Sequence, residues 1–569
     1  MHRRGLRGAV GVVGMLAGAL LAAGCSGGSA AGQQSGPTPG APTPSSSSSP
    51  TAPRGELPVL GEHTAVGADG VPYRVALHAV RRMDGATAVD WSVTVLPGGP
   101  DDALTTAVDL DLNALWVSTP MALVDPAGGK AYRPLLSAKD VNAECLCTPV
   151  FAGDSTREPG TPQLLQTVFP PLPADLTAVD VDVEGVPPFV GAPVSPVGQV
   201  PTAAGAVDLA APASARTPLA STAPFAYPAD GPGRARIDVL AVHSSPTESA
   251  LVWRLRALDD QVRLSQTAPP LTDLSLPPVL LAHKQTVASG PGLIPAGAGA
   301  DQPTLRSTLS TFTVRPPTPS GGPWLACRCT DYQNVQGAVG HAEGGLALST
   351  SFGPLPQGAT TVSVTFPGTS LPPLEDLPVT PFPQVSAGAP AAAGVGTWTA
   401  KPKQWHPPFT VADWPTPLPD AATLAAFPVA VVDDLVLETS EPAAQTASTG
   451  DTVAVTLDTT LLFGPDSAAL LPKATAAITR LAETIDRQAK PGSTVLIEGH
   501  VAGTDRGSAA VQQQLSLARA RAVHDALAPK VSAQVTYSVV GRGATEPVAS
   551  NDTEQGRRLN RRVVVTLTR

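Results

Sequence analysis

An internal duplication constrains this chain more than any other feature. Val75-Ala76-Leu77-His78-Ala79-Val80 leads to Trp91, and Ile237-Asp238-Val239-Leu240-Ala241-Val242 leads to Trp253, with Ala-Val and Trp at the same spacing in both. Each copy runs on to a Cys-X-Cys, Cys145/Cys147 in the first and Cys327/Cys329 in the second, then to Pro-Leu-Pro at 171–173 and 354–356. Val179-Asp180-Val181-Asp182-Val183 closes one copy and Thr361-Val362-Ser363-Val364-Thr365 the other. Features in one order, most of them at matching or nearly matching spacing, mean one kind of domain used twice. Within the copies, apolar and polar residues alternate, as in Asp90-Trp91-Ser92-Val93-Thr94-Val95, and prolines and glycines interrupt the runs. That pattern predicts antiparallel strands, read here as immunoglobulin-like sandwiches. Trp91 and Trp253 are then core residues rather than ligand-stacking ones, because a strand tryptophan in such a fold packs inward.

The N-terminus places the chain outside the cytoplasm. Arg3, Arg4 and Arg7 precede an apolar and glycine stretch over 8–24 that ends at Cys25. The stretch has the pattern of a signal peptide and is short for a membrane span, which takes about 20 apolar residues. Leu21-Ala22-Ala23-Gly24-Cys25 resembles a bacterial lipobox, which implies cleavage before Cys25 and a diacylglycerol on its sulfur, an anchor of two acyl chains. Residues 25–55, rich in Ser, Pro and Gly, are expected to be a disordered tether of about 30 Å as flexible coil. Four cysteines remain beyond Cys25, an even number in an oxidising compartment, so Cys145, Cys147, Cys327 and Cys329 are disulfide candidates with three pairings open. Metal binding is the alternative for those cysteines, but only His341 lies near one pair. A formal charge of −10 argues against nucleic acid as a partner.

The expected division is therefore a first β-repeat over 56–200, a linker over 201–233, a second β-repeat over 234–372 and a Pro/Ala-rich linker over 373–450. Trp398, Trp405 and Trp414 make that last segment richer in aromatics than disordered linkers usually are. From 451 to 569 strand and helix patterns alternate. Strands are expected over 452–463, 494–499, 534–540 and 562–567, and helices over 467–488 and 514–527, with Asp466 or Ser467 as the first cap. The order is β-α-β-α-β-β, an α+β layer.

These C-terminal residues carry a resemblance. Phe463, Ser467, Leu470-Leu471-Pro472-Lys473-Ala474, Ile497-Glu498-Gly499-His500, Leu515-Ser516-Leu517-Ala518-Arg519-Ala520, Val523, Gly541-Arg542-Gly543, Pro547 and Asn560-Arg561-Arg562-Val563 follow one another as in the OmpA-like peptidoglycan-binding family. The likeness covers about a fifth of the chain. It implies recognition of the free amino-acid centre of diaminopimelate in the peptide stem, a zwitterion whose ammonium needs a carboxylate and whose carboxylate suits a guanidinium fork. Arg519 matches the family's arginine. The family's Thr-Asp follows Gly-His directly, whereas Val501-Ala502-Gly503 intervene here; counted back from Leu515-Ser516 the loop is two residues longer than the family's, and an insertion there places Thr504 and Asp505 in the Thr-Asp position. Gln512 stands where the family commonly has Asn, and Gly464 where an acidic residue often follows the phenylalanine. Asn560 and Arg561 are candidates to meet glycan or peptide carboxylates, and His500 is expected to be structural.

The whole reads as a multidomain, non-enzymatic envelope lipoprotein tethering membrane to wall, with peptidoglycan as partner and no cofactor or metal. The alternative is an interaction or sensing scaffold whose β-repeats bind an envelope protein or ligand. Outside Gly24–Gly28 at the end of the leader, where no strand-to-helix elbow is expected, there is no Gly-X-Ser-X-Gly, and no His-Glu-X-X-His, to support a hydrolase.

Overall fold

The computed structural model describes residues 57–569 apart from 67–71, 98–120, 140–142, 149–158, 184–185, 213–216, 228–231, 260–261, 263–290, 296–303, 313–323, 331–345, 367–368, 403–405, 407, 442–443, 504, 506, 549–550 and 553. The leader, the tether, Cys25 and Thr504 lie outside the described residues.

The chain is mainly β. The first copy contains β1 (Pro72–Met83), β2 (Ala86–Val95), β3 (Lys130–Leu136) and β4 (Gln163–Phe169). The second contains β5 (Arg234–Ser244), β6 (Ser249–Ala257) and β7 (Leu346–Phe352). In both copies a long antiparallel hairpin carries a third antiparallel strand, β1-β2-β4 and β5-β6-β7. The first strand is irregular at the same place, between Leu77 and Ala79 and between Val239 and Ala241. Trp91 and Trp253 are fully buried, and each indole donates 3.2 Å to a threonine of the third strand, Thr167 and Thr350. A buried indole needs such an acceptor, which explains why a threonine recurs two residues along from the leucine that faces each tryptophan.

Each Cys-X-Cys is bridged within itself, with Cα atoms 5.4 Å apart for Cys145–Cys147 and 5.3 Å for Cys327–Cys329. Cys147 then pairs with Thr167, and Cys329 with Thr350, so each bridge buttresses the acceptor of the buried indole. Peptide mapping without reductant is expected to recover each pair as one internally bridged peptide. Peptides cross-linked between the two copies would contradict the pairing. The residue between the cysteines differs. Leu146 enters an apolar cluster. Arg328 instead reaches Asp182 of the first copy through two bonds of 2.6 and 2.7 Å, and Glu248 of the second at 2.8 Å.

The segment expected as a Pro/Ala-rich linker contributes core. Trp398, Phe409, Trp414 and Phe427 are buried with Leu135, Leu146, Leu164 and Val168 of the first copy. Arg81 and Asp90, both buried, form an ion pair of 2.6 Å, and Thr416 donates to Asp90 at 2.5 Å. Gln166 donates to Asp90 and accepts from the Trp398 indole at 2.8 Å. Further on, β8 (Val429–Glu441) pairs with β3, with Leu309 and Ser310, and with Thr304 and Leu305. Its end forms a hairpin with β9 (Ala444–Ser448). One strand thus links both copies to the hairpin that leads into the C-terminal unit.

The C-terminal unit has β10 (Thr452–Asp458), α1 (Ala474–Gln488), β11 (Thr494–His500), α2 (Ala509–Leu527), β12 (Thr536–Gly543), α3 (Glu554–Asn560) and β13 (Arg562–Thr568). The sheet runs β10-β13-β11-β12, antiparallel except for β11–β12, and β9 pairs with the free side of β10. Ala474, Ala477, Ile478, Leu481, Ala482 and Ile485 form the buried stripe of α1.

The first strand, both long helices and one added helix differ from expectation: α2 starts at Ala509 rather than 514, with the Ser508 hydroxyl as cap, and Lys473 rather than Asp466 or Ser467 precedes α1. The first strand stops at Asp458, whose carboxylate accepts from the Thr460 amide and starts a helical turn over Thr459–Leu462. The first helix begins at Ala474 rather than near Ser467, because Leu470 pairs with Phe463 and Pro472 biases the residue before it away from helix. The short helix α3 precedes the last strand; Glu554 opens it and Arg557 and Arg558 close it, charges that suit its dipole.

Candidate functional site

Close packing of α2 against the sheet places the site. Gly499 on β11 and Gly541 on β12 face the backbone of Ser516 and Leu517, and a Cβ at either would collide with it. Ser516 is fully buried and accepts from the Gly543 amide at 2.9 Å, locking the helix to the strand. One turn further along α2 the same buried face carries Arg519.

Arg519 lies at a cavity of about 250 Å³ lined by Thr459, Thr460, Phe463, Gly464, Pro465, Asp466, Asp505 and Arg561 beside it. Its side chain is held on two sides. Nε donates to the Ser467 carbonyl at 2.9 Å, and the guanidinium carbon sits 5.5 Å from the centre of the Phe463 ring. Arg519 is only 5% exposed and its Nη1 has no hydrogen-bond partner. Burial disfavours its charge and lowers its pKa below the usual arginine value, a cost that Asp505 and Asp466 partly offset and Arg561 increases. The cavity therefore presents a cation short of acceptors.

The acidic side of the cavity rests on the loop after β11. Asp505 turns the loop back on itself, its amide donating to the Ala502 carbonyl and its Oδ2 accepting from the Ala502 amide, both at 3.0 Å. The Gln512 side chain donates to the Asp505 carbonyl at 2.8 Å. The other carboxylate oxygen, Oδ1, lies 3.5 Å from Nη1 of Arg561, whose Nη2 pairs with Glu554 at 2.5 Å. Asp505, Arg519 and Arg561 come together here. Residues 462–561 match the model of the OmpA family.

This stretch is an OmpA-family domain.

The peptidoglycan-binding protein ArfA of Mycobacterium tuberculosis is 36% identical over 107 residues, 19% of this chain and 32% of ArfA. Outer membrane protein Omp38 of Acinetobacter baumannii is 37% identical over 92 residues, 16% of this chain and 25% of Omp38. The chain thus spans a third or less of the length of these relatives. Among solved structures, the cell wall anchor of the T6SS from Pseudomonas aeruginosa is 32% identical, with 22% of this chain and 87% of that chain covered and a TM-score of 0.20.

Other residues of the OmpA-family domain brace the site. Asn560 is buried, accepting from the Val548 amide at 2.7 Å and donating to Asn551 at 2.9 Å; it is not among the cavity's lining residues. Gln512 is likewise a support for the Asp505 loop. Asp466, which the sequence marked only as a candidate helix cap, lines the cavity with Thr459 and Thr460, which did not stand out. Their signals were the Asp458-Thr459-Thr460 cap and the positive φ of 50° at Asp466, which the preceding Gly464-Pro465 hints at. Among the described residues no cluster of His, Cys, Asp and Glu could hold a metal.

His500 is buried, and burial, with Arg562 and Arg542 adding to it, pushes its pKa down to about 3. A histidine that stays neutral when folded but protonates when unfolded makes stability rise with pH between the two pKa values. The OmpA-family domain is thus expected to lose a few kcal/mol as pH falls from about 6.5 to about 3, and His500→Gln to flatten that loss. Urea unfolding of both proteins at several pH values checks this.

Proposed function

We propose that this protein is a membrane-anchored envelope lipoprotein that binds peptidoglycan non-covalently through the diaminopimelate centre of the stem peptide and so tethers membrane to wall. The observation that carries the reading is the half-satisfied guanidinium of Arg519 in a cavity that also presents Asp505 and Asp466. A ligand carboxylate supplies the missing acceptor of Arg519, and its ammonium meets Asp505, displacing the long contact to Arg561, which retains Glu554. Thr459, Thr460 and Asp466 shape the remaining wall of the site, and Thr504 completes the family's Thr-Asp pair. The name of ArfA, a peptidoglycan-binding protein, is consistent with such a ligand. Among the described residues no helix is long and apolar enough to cross a membrane, and the anchor we assign is the lipid on Cys25.

The remaining parts fit the same reading. Residues 25–55 carry the anchored end away from the lipid surface, 56–200 and 234–372 are two immunoglobulin-like repeats, and 451–569 holds the wall. A single ion-paired site binds weakly, but anchoring raises the local concentration of domain against a repeating polymer. Binding, not turnover, is the task.

Competition tests the reading. The purified chain is pelleted with insoluble peptidoglycan in the presence of a stem peptide whose diaminopimelate amine is free, or of the same peptide with that amine acetylated. The free peptide is expected to release the chain at concentrations at least tenfold lower than the acetylated one. Equal release by both would show that the ammonium is not recognised.

A further inference from the structure

The duplication provides an internal comparison of the sheet face opposite the buried tryptophans. Aligned on Leu77/Trp91 and Val239/Trp253, that face carries Arg74, Ala76, Ser92 and Thr94 in the first copy, and Arg236, Asp238, Arg254 and Arg256 in the second. The first copy covers it. Ala76, Ser92 and Thr94 are fully buried, and the Arg74 guanidinium is taken by Glu62 and by the carbonyls of Asp208 and Leu209. In the second copy three guanidiniums crowd one buried carboxylate. Asp238 lies 2.8 Å from Nε of Arg254, 3.5 Å from Arg236 and 3.7 Å from Arg256, and also accepts from Ser221 at 2.6 Å. Nε of Arg236 and of Arg256 make no hydrogen bond. The three arginine side chains remain 32%, 19% and 29% exposed in sequence order, so a part of each faces solvent although Nε of Arg236 and of Arg256 is buried.

One carboxylate against three guanidiniums leaves a local surplus of positive charge on a chain whose formal charge is −10. Folding gathers these like charges at a cost that an outside anion can offset. Arg254 and Arg256 stand two residues apart on one strand, about 7 Å, with Arg236 across from Arg256. Guanidinium forks match the paired oxygens of a phosphodiester, and a row of them suits charges that repeat along a thread. A flat anionic lipid surface fits less well, because it would press against the acidic remainder of the molecule as well as the arginines.

We propose that the arginine face of the second repeat, Arg236, Arg254 and Arg256, binds a linear polyanion carrying phosphodiester groups. This site is separate from the cavity at Arg519.

The test measures binding of the full chain to fluorescently labelled poly(glycerol phosphate), by anisotropy over a salt series, beside flotation with phosphatidylglycerol vesicles. Arg236→Gln with Arg256→Gln removes two forks and leaves the short Arg254–Asp238 pair that fills the buried position. The double variant is expected to bind the polymer at least tenfold more weakly at low salt, with a salt slope smaller by about 1.4, roughly 0.7 for each lost phosphate contact. Its pelleting with peptidoglycan stripped of phosphate polymers is expected to match wild type, which separates this proposal from the reading of the Arg519 cavity. Where the double variant does not fold, Arg236→Gln alone is read, with a slope change of about 0.7. Polymer binding unchanged by these substitutions overturns the proposal. So does vesicle flotation that depends on the arginines while the polymer fails to bind.

Discussion

Arg519→Ala is expected to weaken pelleting with peptidoglycan about 100-fold while leaving the fold intact. Truncating one member of a buried, hydrogen-bonded charge pair at an interface costs about 2–5 kcal/mol, and a hundredfold is about 2.7 kcal/mol. Stability should change little, because burial disfavours the charge of Arg519, an effect that Asp505 and Asp466 offset in part, and the bond to Ser467 and the contact with Phe463 are modest. Arg519→Lys separates charge from shape: an ammonium keeps the charge but not the planar fork, and recovers only part of the loss. Sedimentation with insoluble peptidoglycan at fixed salt, beside a thermal melt of each variant, makes the measurement. A folded Arg519→Ala protein that pellets like wild type would remove the cavity from the binding reaction.

Asp90→Ala is expected to destabilise the first repeat by about 3–5 kcal/mol, the cost of leaving a buried charge without its partner. Arg81 is almost wholly buried, and Asp90 is the carboxylate that its Nε and Nη2 meet, with Thr416 and Gln166 also donating to Oδ1. The consequence should reach far along the chain. Thr416 and Trp398 belong to the segment packed on this repeat, so residues 398–417 should become sensitive to proteolysis in the variant. Arg81→Met combined with Asp90→Leu removes both charges together and should recover much of the stability. An exposed control, Asp413→Ala, loses only local bonds to Thr410 and should stay within about 1 kcal/mol. Equilibrium unfolding in denaturant decides it, and a loss below about 1 kcal/mol for Asp90→Ala would mean that the network does not hold the segment.

The parts that read directly from the residues are those governed by neighbours in the chain. Period-two alternation around Trp91 and Trp253 marked strands whose tryptophans are buried, and the apolar spacing from Ala474 to Ile485 marked a helix with that face inward. The order of short motifs from Phe463 to Arg562 pointed to the OmpA-like domain, and within it to Arg519. Boundaries were less readable. The stop at Asp458 and the late start at Ala474 depend on a capping carboxylate and on a pairing of Leu470 with Phe463, which compete locally with strand and helix.

The sequence by itself carried the recurring order of motifs, the strand and helix periodicities, the exchange of β for α+β character near 451, and the OmpA-like pattern that includes Arg519, because each is written in residues close together in the chain. Tertiary structure alone decided which cysteines pair, that the proline-rich segment packs a tryptophan core, that Asp466 and Thr459 join Arg519 at one cavity, and that the sheet face opposite the buried tryptophans is covered in the first copy but keeps three partly exposed arginines in the second. Arg81 and Thr416 lie 335 residues apart, and Arg519 and Ser467 lie 52 apart. Contacts over such separations depend on how completed elements stack, and no local pattern of side chains encodes them.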